Sequence, residues 1–250
     1  MKVKVFATSE EMGKAASAHA KEIINSVIEK GETARILLST GASQFPFFKY
    51  FVQEDIDWSK VEMFHLDEYV GISEDHPASF KKYLKERFIN IVHPAKYHLI
   101  DGQKAPEETI KELTKLLDEK KVDLGLIGIG ENGHIAFNDP PADFEDQRYY
   151  KVVNLSDTCI KQQLHEGWFK DENEAYKQAI SMTCSKIMDC KTIISVVPYA
   201  VKAQAILGTL TREVTNEVPA TLFKKHDDVT VYCDKDSASL VDEETLKNYR

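Results

Sequence analysis

The sequence predicts a doubly wound α/β fold, with a mostly parallel, Rossmann-like sheet and helices on both of its faces. Short β-branched or apolar runs alternate with longer segments of helical period, which is the pattern of βαβ units. Residues 122–129 are apolar almost throughout, as expected of a central strand buried on both faces. The chain contains no internal repeat, low-complexity tract or linker, so we expect residues 1–250 to form a single domain.

Local signals place the helices and strands of this sheet. Thr8 or Ser9 suits the capping position of the first helix, and Gly31 suits its end. Pro106 fits the first turn of a later helix. Predicted strands cover residues 3–7, 35–39, 61–65, 122–129, 193–197 and 229–233. Predicted helices cover residues 9–30, 44–53, 79–88 and 106–120, with a further helix from about residue 200.

The composition narrows the classes of function. A net charge of −9 disfavours a broad nucleic-acid surface, which needs clustered Lys and Arg, but allows a few cations around a phosphate. No window approaches the roughly 18 apolar residues of a membrane span, and the beginning of the chain does not resemble a signal peptide. The four cysteines form no CxxC pair, which is typical of reduced thiols. We therefore expect a cytoplasmic protein that binds neither nucleic acid nor membrane.

Three unusual segments follow predicted strands, and ligands of open parallel sheets bind beyond the carboxyl ends of the strands. In the first segment, Thr40 and Ser43 carry hydroxyls, while Gly41 and Ala42 let the backbone approach a ligand closely. Because the segment leads into a helix N-terminus, it suits a phosphate group. A tight strand-to-helix turn without a ligand is the alternative.

The second segment contains two adjacent acids, Asp67 and Glu68. Neighbouring side chains on an extended or turning backbone point in different directions, so these carboxylates are poor candidates for sharing a proton. One of them can face a site and act as a base, while the other makes structural hydrogen bonds. A pair of capping or solvated acids is the alternative.

The third segment, residues 128–140, places His134 among three glycines and flanking Asn, Glu and Asp residues. A glycine-rich turn after a central strand exposes the histidine, and its polar neighbours can fix the tautomer. The segment does not resemble a metal site, because no second His or Cys stands at ligand spacing. Its Gly-x-Gly-x-x-Gly pattern lies deep in the chain and runs into the histidine, unlike a dinucleotide fingerprint.

Together these segments resemble the glucosamine-6-phosphate deaminase family. The resemblance covers nearly the whole chain, and the Gly-His-Ile-Ala-Phe-Asn string at residues 133–138 is its most specific part. The related 6-phosphogluconolactonases share the fold and a Gly-His turn. They usually continue with a Thr-Ala-Ser type of segment and carry Arg after the Asp-Glu pair. Here Tyr69 and the Ile-Ala-Phe-Asn run favour the deaminase branch.

The resemblance implies catalytic roles for four residues. Asp67 matches the general base that moves a proton between C2 and C1 of the opened amino sugar. His134 matches the residue that opens the pyranose ring. Asn132 and Asp139 stand where family members usually carry Asp and Glu, the carboxylates that orient and polarise that histidine.

The resemblance also implies a substrate-binding set. A phosphate loop is matched at residues 40–43, and Lys202 matches a phosphate-binding lysine. The phosphate-binding arginine of the family has no clear counterpart, and Lys161 is the nearby residue that could supply its charge. Glu68 and Gly133 complete the predicted binding set.

The activity that the resemblance implies is isomerisation and deamination of a hexosamine 6-phosphate, such as glucosamine 6-phosphate, to fructose 6-phosphate and ammonia. The reaction needs neither a cofactor nor a metal. Two alternatives remain open: a sugar-phosphate lactonase or isomerase of the 6-phosphogluconolactonase type, and a sugar-phosphate sensor with poor turnover. A homo-oligomer is compatible with the sequence, which fixes neither the oligomeric state nor the epimer preference.

Overall fold

The computed structural model describes residues 1–165, 167, 169–171 and 174–249. The strands are β1 Lys2–Phe6, β2 Ala34–Leu38, β3 Val61–His65, β4 Asp67–Tyr69, β5 Lys96–His98, β6 Leu124–Leu126, β7 Tyr150–Asn154, β8 Gln178–Met182, β9 Thr192–Val197 and β10 Val229–Asp234. The α-helices are α1 Ser9–Ile28, α2 Phe45–Phe51, α3 Phe80–Leu84, α4 Asn90–Val92, α5 Pro106–Glu119, α6 Asp157–His165, α7 Cys184–Ile187, α8 Ala203–Thr211 and α9 Glu243–Lys247. Single 3-10 turns precede α2, β3, α8 and β10, at Ala42–Gln44, Trp58–Lys60, Ala200–Lys202 and Pro219–Lys225.

The central sheet has seven strands in the order β1-β10-β9-β6-β2-β3-β5, and every neighbouring pair is parallel. The predicted α/β fold class is confirmed. The chain builds outward from β2 to β3 and β5, and then returns to place β6 on the other side of β2. The switch point of this doubly wound sheet therefore lies between the ends of β2 and β6, where ligands of such folds bind.

Both faces of the sheet are buried against helices. Along β2, Ile36 and Leu38 belong to a hydrophobic cluster with residues of α1, α2 and α3, whereas Leu37 belongs to a second cluster with residues of α5 and α8. Successive strand side chains point to opposite faces, so a single strand supplies residues to both clusters. The continuous apolar runs in the sequence are explained by this two-sided burial.

A second, antiparallel sheet with the order β4-β8-β7 was not anticipated from the sequence. The chain leaves the central sheet at Leu66, whose N–H still bonds Leu38 at 3.2 Å. It then enters β4, which begins at Asp67. Because β4 pairs with β8 instead of continuing β3, the small sheet sets where Asp67 stands relative to the end of β2.

Several element boundaries differ from the predictions. The predicted strand 122–129 is observed as the shorter strand β6. After β6 the chain makes one more sheet hydrogen bond, from the Ile127 N–H to the Ile194 carbonyl at 3.0 Å, and then turns through the glycines. The predicted helix 79–88 is interrupted, since a π-helical turn at Lys85–Ile89 joins α3 to α4. The first helix begins as predicted, with the Thr8 side chain accepting a hydrogen bond from the Glu11 N–H at 3.2 Å.

Candidate active site

A pocket of about 550 Å³, counted with its open mouth, lies at the switch point of the central sheet. Its walls come from the segments after β2, β3 and β6, together with parts of α3, α6 and the turn before α8. Among the predicted site residues, the pocket is lined by Thr40, Gly41, Ser43, Asp67, His134 and Lys202. The three segments that the sequence analysis singled out therefore meet in one place.

The loop after β2 forms one wall of the pocket. Gly41 has φ 105°, a conformation that L side chains rarely adopt, and it turns the chain into the 3-10 turn before α2. Its carbonyl accepts a hydrogen bond from the Tyr83 hydroxyl at 3.0 Å, which ties the loop to α3. The buried Gln44 amide donates to Ser43 and to the Val196 carbonyl, both at 3.1 Å, which ties the loop to β9. The loop is thus held from two sides with its hydroxyls along the pocket.

Two further residues complete this wall. The Ser39 hydroxyl is buried in the pocket lining and is without a hydrogen-bond partner among the described residues. Lys202 is 4% exposed and also lines the pocket, at the end of the 3-10 turn before α8. Within the described part of the chain, Lys202 is the one Lys or Arg in the pocket lining. Hydroxyl donors and one buried ammonium make this end of the pocket suitable for an anion.

Asp67 projects into the pocket from β4. Its residue is 7% exposed, and burial together with the negative charge of Glu68 raises the pKa of the Asp67 carboxyl to about 8. No hydrogen bond to this carboxylate is found among the described residues. A carboxyl group with a raised pKa and no structural partner has the properties of a catalytic base.

The neighbouring Glu68 points away from the pocket and serves the structure. Its oxygens accept four hydrogen bonds, from the N–H groups of Tyr69, Phe80 and Lys81 and from the Ser79 hydroxyl, at 2.8–3.2 Å. These bonds fasten the beginning of α3 to β4. Burial raises the pKa of Glu68 to about 7, although the hydrogen bonds act in the opposite direction. The placement does not support direct substrate binding by Glu68, because its carboxylate lies outside the pocket lining.

His134 lies against the glycine backbone of the turn at residues 130–134. A Cβ atom at Gly130 would stand 2.2 Å from the imidazole, so only glycine leaves room for the ring. Gly133 has φ 85° and packs against Val218, which a Cβ atom would approach to 2.7 Å. Gly133 therefore shapes the turn without lining the pocket. The turn closes through a hydrogen bond from the Gly130 N–H to the His134 carbonyl at 2.8 Å.

Asn132 fixes the tautomer of His134. The Asn132 Oδ1 atom accepts from the His134 backbone N–H at 3.1 Å, while its Nδ2 group donates to Asp139 at 3.1 Å. Since a backbone N–H can only donate and a carboxylate can only accept, the amide orientation is unambiguous. The same Oδ1 lies 2.7 Å from the imidazole Nδ1, which must therefore carry the proton. This arrangement leaves Nε2 as the nitrogen available to a ligand.

Asp139 contacts the same imidazole nitrogen as Asn132. Its Oδ1 atom lies 3.1 Å from His134 Nδ1, and its Oδ2 atom accepts from the Ser156 hydroxyl at 2.6 Å. Burial of the Asp139 carboxyl favours a higher pKa. The hydrogen bond and charge of His134, together with the hydrogen bonds from Ser156 and Asn132, outweigh burial and hold the pKa of Asp139 well below its ordinary value. Asp139 is therefore ionised at neutral pH and can accept the hydrogen bond of the His134 Nδ1–H group.

Helix α6 contributes a residue that the sequence analysis did not identify. Gln163 lines the pocket, and its Oε1 atom accepts from the Tyr69 hydroxyl at 2.7 Å. With that oxygen engaged, the side-chain amide can offer donors to a ligand. Lys161 lies on the exposed side of α6 and outside the pocket lining, so its position does not support the predicted phosphate contact. Ala42 also lies outside the lining, in the turn behind Gly41.

Apolar residues form the remaining wall. Phe80 and Phe137 stack at 5.9 Å between ring centroids, and Ala136 beside them has φ 49°, which is uncommon for a residue other than glycine. In the described part of the chain, no three His, Cys, Asp or Glu residues are grouped so as to hold a metal ion. No helix among the described residues combines the length and the apolar character needed to cross a membrane.

The model of the glucosamine-6-phosphate isomerases/6-phosphogluconolactonase family matches residues 7–232. The chain belongs to this family. Among curated members, the glucosamine-6-phosphate deaminase of Thermoanaerobacter sp. (strain X514) is 34% identical, over 99% of this chain and 98% of that protein. The glucosamine-6-phosphate deaminase of Streptococcus gordonii is 36% identical, over 97% of this chain and all of that protein.

Solved structures of the family have the same fold. A monomeric glucosamine-6-phosphate deaminase of the NagB superfamily superposes with a TM-score of 0.87 at 28% identity, covering 96% of this chain and 100% of that one. The 6-phosphogluconolactonase of Trypanosoma brucei superposes with a TM-score of 0.78 at 16% identity, covering 96% and 98%. The second comparison concerns the fold alone.

Proposed function

We propose that the chain is a glucosamine-6-phosphate deaminase, which converts a hexosamine 6-phosphate and water to a ketose 6-phosphate and ammonia. The observation that carries the proposal is the meeting of Asp67, His134 and Lys202 with the loop at residues 39–43 in one pocket. A base, a proton-transfer group and an anion site are the three components that the reaction needs. The deaminases among the relatives support the same activity.

In this proposal the phosphate group anchors the substrate. Lys202 supplies a positive charge, and Thr40 and Ser43 supply hydroxyl donors at the helix-facing end of the loop. Charge-assisted hydrogen bonds of this kind are stronger than neutral ones and fix the orientation of the ligand. The anchored sugar then extends toward Asp67 and His134, so that the reacting carbons are positioned before any bond changes.

His134 opens the sugar ring. Its Nδ1–H group is directed at Asn132 and Asp139, so the free Nε2 atom can take the proton of the O1 hydroxyl and return it to the ring oxygen. The aldehyde form results without net gain or loss of protons. The ionised Asp139 stabilises the imidazolium that exists between the two transfers.

Asp67 then carries the proton between carbons. As a carboxylate it removes the proton at C2, which is acidic beside the C1 carbonyl, and an enolamine forms. Returning the proton to C1 gives the ketose imine, and addition of water to C2 releases ammonia and leaves the C2 carbonyl. One group acts first as base and then as acid, so no cofactor takes part.

The raised pKa of Asp67 favours an amino-sugar substrate. At neutral pH the empty pocket holds this carboxyl largely protonated, because its pKa is about 8. An ammonium group arriving at C2 would stabilise the carboxylate and displace that proton. A lactone substrate brings no positive charge, so the environment of Asp67 favours an amino sugar over a lactone.

The proposal includes the setting of the reaction. A phosphorylated amino sugar is the partner, and addition of water makes the enzyme a hydrolase in its overall reaction. We place the activity in the cytoplasm, which agrees with four free, buried cysteines. The net charge of −9 disfavours nucleic acid as a partner.

The decisive experiment supplies purified protein with glucosamine 6-phosphate, galactosamine 6-phosphate and 6-phosphogluconolactone, and measures ammonia, ketose phosphate and lactone hydrolysis. We expect ammonia and ketose phosphate in equal amounts from a hexosamine phosphate. Lactone hydrolysis without ammonia release would assign the 6-phosphogluconolactonase reaction instead. Thermal stabilisation by hexosamine phosphates without turnover would identify a sensor.

A further inference from the structure

The backbone at Tyr199 is strained, just before the turn that carries Lys202. Tyr199 has φ 78° and ψ 146°, a combination that is essentially restricted to glycine. Its carbonyl accepts the Lys202 N–H at 3.0 Å, which closes the 3-10 turn Ala200–Lys202. The unfavourable backbone conformation of Tyr199 therefore sets the direction in which the chain leaves β9 and enters this turn.

The buried carboxylate of Asp234 holds Tyr199 in this conformation. Asp234 ends β10, the strand next to β9, and is 3% exposed. Both of its oxygens accept the Tyr199 N–H, at 3.1 Å and 3.0 Å. The carboxylate is fixed in turn by the Ser237 N–H at 2.8 Å, and the Asp234 N–H bonds the Ser237 hydroxyl at 3.2 Å. A hydrogen bond to an ionised acceptor is among the stronger ones available to a backbone N–H.

We propose that Asp234 is a positioning residue for the phosphate subsite, and that its hydrogen bonds to Tyr199 direct the side chain of Lys202 into the pocket. This inference rests on the proposed function, since it takes Lys202 to contact the substrate phosphate. If Tyr199 relaxed to a negative φ, the first residue of the turn would rotate and the Lys202 Cα atom would move with it. A lysine anchored elsewhere reaches the same point only by adopting another rotamer within a packed wall.

The geometry separates this role from a general contribution to folding. Residues in rare backbone conformations persist only where the surroundings hold them, and they are concentrated at binding sites. Asp234 supplies that restraint at Tyr199, which lies three residues before Lys202 in the chain. It does not line the pocket itself, so its effect on a ligand must pass through the turn.

The test compares Asp234→Asn, Tyr199→Gly and the double variant with the wild-type enzyme. Asn keeps the size of the side chain but presents an amide N–H₂ to one of the two positions that now accept from Tyr199. We expect the KM for glucosamine 6-phosphate to rise about tenfold, with kcat within about threefold, as for a loss confined to binding. Glycine adopts the Tyr199 conformation without strain, so the double variant should regain most of the lost affinity.

A matched control is Asp242→Asn, since Asp242 also accepts a backbone N–H in a turn, that of Thr245 at 2.7 Å, but caps α9. Its KM should stay at the wild-type value. An unchanged KM in Asp234→Asn would overturn the inference. So would a loss that Tyr199→Gly fails to rescue, or an equal loss for unphosphorylated glucosamine.

A second readout does not depend on turnover. Inorganic phosphate should protect the wild-type protein against thermal unfolding more than it protects Asp234→Asn. A wild-type enzyme without deaminase activity would refute the proposed function, while the phosphate experiment would still decide the role of Asp234. If Asp234→Asn does not fold, the double variant replaces it, and loss of phosphate protection in that variant would count against the inference.

Discussion

Asp67→Asn should inactivate the enzyme and, at the same time, stabilise the protein in a pH-dependent way. Burial and the charge of Glu68 raise the pKa of Asp67 from an ordinary 3.8 to about 8. Between these values the unfolded chain ionises its carboxyl while the folded protein keeps the proton. The buried Asp67 carboxyl therefore does not lower the free energy of unfolding near pH 4, but lowers it progressively as the pH rises to about 8. Asparagine removes this loss because it does not ionise.

The magnitude follows from the same values. One pKa unit corresponds to about 1.4 kcal/mol, so the ionised carboxylate costs at most about 6 kcal/mol of unfolding free energy above pH 8. Asp67 lines a pocket that opens to water, and charges at such sites interact as if the effective dielectric constant were about 20. We therefore expect Asp67→Asn to gain about 2–3 kcal/mol at pH 8 and almost nothing at pH 4.

Urea unfolding of both proteins at pH 4 and pH 8 measures this gain, with ammonia release as the activity assay. The matched control is Glu68→Gln, which changes the adjacent acid. Glu68 accepts four hydrogen bonds, and an amide N–H₂ group would face some of those donors, so this variant should lose about 1–3 kcal/mol at the lower pH. Because burial also raises the pKa of Glu68 to about 7, removing its ionisation offsets part of that loss at pH 8. Equal stability of Asp67→Asn and wild type at pH 8, or retained turnover, would refute the reasoning.

Three more substitutions test the rest of the pocket. Lys202→Ala should weaken phosphorylated ligands by about 1.5–3 kcal/mol in calorimetry, and an equal loss for glucosamine would show that the lysine acts elsewhere. Gly130→Ala places a Cβ atom 2.2 Å from the imidazole and should lower kcat at least about 100-fold, whereas Gly31→Ala, with nothing within 4 Å, should affect stability alone. Asn132→Asp adds charge beside the imidazole and Asp139. The acid limb of the pH–rate profile should move to higher pH, with the rate at neutral pH within about tenfold of wild type; an unshifted limb would contradict this.

The central sheet could be predicted from the sequence because its signal is local. A strand buried on both faces favours apolar residues at nearly every position, and β2 and β9 follow this pattern apart from Arg35, Thr192 and Ser195. The small sheet carries no such signal. Its strand β4 consists of Asp, Glu and Tyr, residues whose pairing with β8 depends on where the rest of the chain has already folded.

The same distinction applies to the site. The segments that contain Asp67 and His134 follow strands, so their convergence follows from the parallel topology. The contribution of α6 depends on how that helix lies on the protein. Gln163 and Lys161 are two positions apart, about 200° around a helix, so one enters the pocket while the other faces solvent. The positive charge of Lys161 made it the residue predicted from the sequence, whereas the orientation of α6 places Gln163 in the pocket.

The pairing of Asn132 with Asp139 shows why a departure from a family pattern is hard to judge from sequence. Taken singly, Asn132 removes a charge beside His134 and Asp139 shortens a carboxylate side chain, so each substitution reads as a loss. In the structure the Asn132 amide donates to Asp139, while its oxygen orients the imidazole. An aspartate at position 132 could not donate this hydrogen bond and would set two carboxylates about 3 Å apart. The amide thus lets the shorter acid approach the histidine and keeps one negative charge beside its Nδ1–H group, with Nε2 left free.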